Sequence, residues 1–85
     1  MSTLRVARNV YAAQLAGEAV ILHLDTKRYY RLNATGAEIW KGIEAGDDRD
    51  ALIGRLVREF TVERDTAGRE VDRLLGRLRE ARLVE

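Results

Sequence analysis

The stretch Arg28-Tyr29-Tyr30-Arg31-Leu32-Asn33 runs without a linker into Ala34-Thr35-Gly36-Ala37-Glu38-Ile39-Trp40, and it constrains the fold more than any other part of the chain. Its first half has the aromatic content of a strand. Its second half reads as a helix start: Thr35 and Glu38 fit a capping box, in which the hydroxyl and the carboxylate each satisfy an orphan helix amide. Every later apolar pattern is helical, so this is the last strand before the chain leaves its sheet. If strand order in space follows order in sequence, the strand is an edge with a row of unpaired backbone groups.

The residues before it supply its partners. Residues 18–25 alternate, with Val20, Leu22 and Leu24 on one face and Ile21 and His23 on the other. Asp25-Thr26-Lys27 has turn chemistry, so this strand and the next form a hairpin. Tyr30 and Leu32 share one face; Tyr29 and Arg31 share the other. Pairing Val20, Leu22 and Leu24 with Tyr30 and Leu32 predicts one buried face, leaving His23 on the minor one. An earlier strand near residues 9–14 ends before a turn at Gly17.

Three helices follow. The first buries Ile39 or Trp40 with Ile43 and stops at Gly46. Asp47-Asp48 opens the second at its positive end, and Leu52, Ile53, Leu56, Val57 and Phe60 form its apolar stripe. Gly54 costs that helix roughly 1 kcal/mol relative to alanine. The third starts near Asp65 or Thr66 and runs to about Arg82, with Val71, Leu74, Leu75 and Leu78 inward; Leu83 and Val84 tuck back on the core. A three-stranded antiparallel sheet followed by three helices makes an α+β fold, similar in order to a winged helix-turn-helix. The 85 residues suit a single domain with an ordered core over about residues 9–84.

Composition removes most chemistry. There is no cysteine and one histidine, so neither thiolate nor paired-histidine metal sites are expected. No glycine-rich phosphate loop occurs. Carboxylates lie scattered beside arginines on helical faces, the pattern of solvated ion pairs. Neither catalysis nor a cofactor is expected. Fifteen basic residues against fourteen acidic ones leave no strong field for nucleic acid, and the last helix mixes signs at Arg69-Glu70, Asp72-Arg73 and Arg79-Glu80 where a recognition helix would be basic. No run reaches the roughly 18 residues of a membrane span, and Met1-Ser2-Thr3-Leu4-Arg5 lacks the design of a signal peptide. A cytoplasmic binding module is the expected class. The strand at residues 28–33 then has two readings: an edge that accepts an extended peptide, or a plain strand with Tyr30 and Leu32 in the core and Tyr29 half exposed.

Glu18-Ala19-Val20-Ile21-Leu22-His23-Leu24-Asp25, followed by the strand–helix stretch above, resembles the PqqD-like family, and the likeness extends over about residues 9–85. The family pattern is an apolar strand, a turn, a tyrosine-rich strand ending in Leu-Asn, and a helix opening toward Ile-Trp. Where the family has proline before the glycine, this chain has Ala34. The resemblance implies a stand-alone recognition element for ribosomally made, modified peptides, of the lasso-peptide type. It implies that a precursor's leader peptide adds a fourth strand in a cleft between the third strand and the third helix. Arg28, Tyr29, Tyr30, Arg31, Leu32 and Asn33 are then the pairing strand, and Val71, Leu74 and Leu75 the facing wall. Glu70 stands where the family often has aspartate. At about 100° per residue, Glu70 and Arg77 line one flank of that wall and Asp72 and Arg79 the other; the first pair is assigned to the cleft. The implied partners are a transglutaminase-like leader protease and a macrocycle-forming synthetase. Alternatives are a peptide chaperone for a radical SAM enzyme and a winged-helix DNA-binding regulator.

Overall fold

Three strands, β1 (Val10–Leu15), β2 (Glu18–His23) and β3 (Arg28–Leu32), precede three helices, α1 (Ala34–Glu44), α2 (Arg49–Phe60) and α3 (Arg64–Glu80), in a computed structural model that describes residues 4–85. The sheet is antiparallel in the order β1-β2-β3, so the expected α+β architecture is observed. Its likeness to a winged helix-turn-helix is a loose analogy. Among the described residues no helix is long and apolar enough to cross a membrane.

One expectation about the sheet is reversed. Ala19, Ile21 and His23 are the buried residues of β2, whereas Leu22 and Leu24 are exposed and Val20 is half-buried. The register pairs Ile21 with Tyr30 and Ala19 with Leu32, so the face assigned to β3 stands and the face assigned to β2 is inverted. Val20, Leu22 and Leu24 are the more apolar set, so hydrophobicity alone favours the face that turns out to be the outer one. A one-residue shift exchanges faces completely, so the whole set is inverted together. The choice is made where α1 packs on β2. His23 accordingly lies on the core side, 5% exposed, with no hydrogen-bond partner at Nδ1 among the described residues.

The start of α1 also differs from the capping-box expectation. Asn33, not Thr35, is the N-cap: its side chain accepts a bond from the Gly36 N–H at 2.9 Å. Thr35 is already helical. Glu38 turns instead toward α2, where Arg55 Nη1 donates to it at 2.9 Å. Arg55 Nε also reaches Asp47 Oδ2 at 3.0 Å, and the guanidinium is held above its ordinary pKa, chiefly by the Glu38 hydrogen bond and against its own burial. Gly42 makes this possible, because a Cβ there would run into Leu52 Cδ2 and crowd Arg55 Nε and Asp47 Oδ2.

Ile39, Trp40 and Ile43 are all buried, together with Leu52, Leu56, Val71, Leu75 and Leu78. Asp48 caps α2 by accepting from the Ala51 N–H at 2.9 Å. At Gly54 a Cβ would meet only Arg58 Nη1 at 3.9 Å, so that glycine is tolerated rather than required. Leu83 and Val84 are buried, and the tail pairs with the N-terminal segment: Val6 bridges Val84, and the Ala7 N–H donates to the Leu83 carbonyl at 3.0 Å. Substituting Asn33→Ala should lower unfolding free energy by about 1 kcal/mol in urea denaturation. Thr35→Ala should stay within about 0.5 kcal/mol of the parent; the reverse ranking would return the cap to Thr35.

Candidate functional site: the open edge of β3

Among the described residues β3 pairs with β2 on one side only. Its other edge faces α3 across a cavity of about 250 Å³. The strand end contributes Arg31, Leu32 and Asn33 to the lining; α1 contributes Thr35, Gly36 and Ile39; α3 contributes Glu70, Arg73, Leu74 and Arg77. A second, more apolar cavity of about 300 Å³ shares Asn33, Thr35, Glu70 and Arg73 and continues to Leu56, Phe60, Val62 and Ala67. Together they form a groove from the edge of β3 past the N-terminal half of α3.

The free backbone groups can be identified from the register. The Leu24 N–H donates to the Asn9 carbonyl at 2.9 Å, next to the Val10–His23 pair, so His23 turns its own N–H and C=O toward β3. The His23 carbonyl also accepts from the Lys27 N–H at 2.9 Å, closing the hairpin. Antiparallel pairs alternate between hydrogen-bonded and non-hydrogen-bonded. His23–Arg28, Ile21–Tyr30 and Ala19–Leu32 are therefore the bonded pairs. Tyr29 and Arg31 are left with N–H and C=O directed at the open edge.

The six strand positions divide accordingly. Arg31, Leu32 and Asn33 line the cleft; Tyr30 is half-buried on the core side. Tyr29 is 71% exposed on the outer face, and Arg28 is exposed at the hairpin end. On α3, Glu70, Leu74 and Arg77 line the cavity, with Leu74 itself 9% exposed. Val71 and Leu75 do not; they sit beneath it in the core. Thr35, Gly36, Ile39 and Arg73 were not anticipated. Arg73 was legible, because positions 70, 73, 74 and 77 share a helical face. The α1 residues were not, since nothing local says that α1 roofs the end of β3. Gly36 fits there tightly: a Cβ would stand 3.1 Å from Leu32 Cβ.

The charges on the two flanks of α3 serve different neighbours. Asp72 receives both Nε and Nη2 of Arg49, at 2.7 and 2.9 Å, which ties that flank to α2. The bond lowers the Asp72 carboxyl below its ordinary pKa. On the cleft flank, Arg73 Nη2 donates to both oxygens of Glu70 at 2.8 Å. Arg31 pairs with Glu18 at 3.1 Å. Arg77 has no acidic group within 4.0 Å among the described residues.

The family profile of PqqD, coenzyme PQQ synthesis protein D, matches residues 18–84. This α+β chain belongs to the PqqD family. Among solved structures it is similar to TbiB1 in complex with the TbiA(beta) leader peptide, at 31% identity and a TM-score of 0.90 over 95% of this chain and 94% of that one. It is also similar to lasso peptide synthetase B1 complexed with the leader peptide, at 26% identity and a TM-score of 0.88 over 99% of each chain. No curated protein matches.

Hydrogen–deuterium exchange followed by NMR checks the edge directly. In the free protein the amides of Tyr29 and Arg31 should exchange at least about tenfold faster than those of Tyr30 and Leu32. The opposite alternation would mean that the edge presents different backbone groups.

Proposed function

We propose that this chain is a non-catalytic adaptor of lasso-peptide biosynthesis. It captures the leader segment of a ribosomally made precursor by adding it to β3 as a fourth strand. The carrying observation is the unpaired row at Tyr29 and Arg31, opening into a groove walled by α3. The fold is that of two proteins whose solved structures hold a leader peptide. Main-chain hydrogen bonds would supply much of the affinity, and the side-chain cavities on the helix side would supply selectivity. Arg28, Tyr29, Tyr30, Arg31, Leu32 and Asn33 form the receiving strand, and Glu70, Leu74 and Arg77 the facing wall, with Val71 and Leu75 supporting it from the core. The adaptor presents the precursor to a transglutaminase-like leader protease and a macrocycle-forming synthetase in the cytoplasm, and needs no cofactor of its own.

The test is titration of the leader of the precursor encoded with this chain. Binding should be at about 10 μM or tighter, worth roughly 7 kcal/mol, and the amides of Tyr29 and Arg31 should become protected while those of Tyr30 and Leu32 change little. Leu74→Ala should weaken capture about tenfold under conditions where circular dichroism shows a folded chain. Absence of binding, or protection spread evenly along β3, would overturn strand addition.

A further inference from the structure

We infer that the segment captured at β3 is acidic on its helix-facing side, with a carboxylate seated against Arg77. This deepens the strand-addition reading and rests on it. Three arginines and one glutamate line the cleft: Arg31, Arg73, Arg77 and Glu70. Glu70 is spent, because Arg73 occupies both of its oxygens. Arg31 is drawn to Glu18, with both side chains at least half exposed. Arg77 is the cleft cation with no acidic neighbour within 4.0 Å among the described residues.

The spacing suits a strand. Side chains two apart on an added strand share a face and stand roughly 6.6 to 6.8 Å from one another. Arg77 lies one helical turn beyond Leu74, about 4.5 Å along the axis, and the guanidinium reaches further than the leucine. One helix-facing side chain can therefore rest on Leu74 and Ile39 while its neighbour two residues away meets Arg77. A carboxylate there can make a charge-assisted, two-pronged bond to the exposed Arg77 guanidinium. A lysine or arginine there meets like charge from Arg77, which also rejects wrong peptides. The recognition element expected in the guest is thus an apolar residue and an acidic residue separated by one position.

Selection from a random-peptide display library tests this without a known leader. The tagged protein is used in parent form, as Arg77→Glu and as Arg79→Glu, the last being an exposed position outside the cleft. Circular dichroism verifies that each is folded. The parent and Arg79→Glu should enrich peptides with Asp or Glu spaced by one position from an apolar residue. Arg77→Glu should bind those peptides about tenfold more weakly and enrich Lys or Arg at the same position. Enriched peptides without acidic bias, or an unchanged preference in Arg77→Glu, would overturn the charge inference while leaving peptide capture intact. If the parent enriches no peptide at all, capture itself falls and the inference with it.

Discussion

The bond from the Gly36 amide to the Asn33 side chain, 2.9 Å long, sets the direction of everything after the sheet. Leu32 is the last residue of β3 and Ala34 the first of α1, so the chain changes from strand to helix across one residue. A turn that short sends α1 back over the sheet, where it packs on β2. The helices are thereby committed to one face. None of them caps the outer edge of β3, and its backbone groups stay available.

The second constraint is how far α3 stands from that edge. α1 and α2 approach closely because Gly42 carries no Cβ, and Arg55 bridges them through Glu38 and Asp47. α3 then docks on α2 through the buried Leu52, Leu56, Val71 and Leu75, with Arg49 and Asp72 paired at the surface. Exposed ion pairs contribute little to stability, so the buried apolar stripe holds α3 and sets its rotation, with the pair alongside it. That rotation turns Glu70, Arg73, Leu74 and Arg77 toward β3. The helix side of the groove is a by-product of helix packing.

The sheet's outer face has a different character. Among the described residues Tyr11, Leu15, Leu22, Leu24 and Tyr29 are the large hydrophobics left exposed, and strand alternation places them on the side away from the helices. This is the face that the apolar residues of β2 at first suggested as the core. Ala19 and Ile21 are buried on the side where α1 packs on β2.

Much of this protein was determined by sequence alone, because the controlling signals are local. An earlier strand ending before Gly17, alternation over residues 18–33, glycine at position 46 and the apolar spacing of α2 and α3 specify three strands, three helices and, with strands in sequential order, an edge at β3. Helical arithmetic separated the flank carrying Glu70 and Arg77 from the one carrying Asp72 and Arg79 without choosing between them, and the first pair lines the cavity beside β3. Tertiary structure decided what local signals leave degenerate. The more apolar side of β2 is the one left outside, so the burial of His23 and the exposure of Leu22 awaited the helices. Asn33 and Thr35 can each cap a helix, and the backbone conformation at Asn33 selects it. The roof of the cleft, from Thr35, Gly36 and Ile39, exists only because α1 folds over the end of β3. It is a relation between elements, and no periodicity within either one records it.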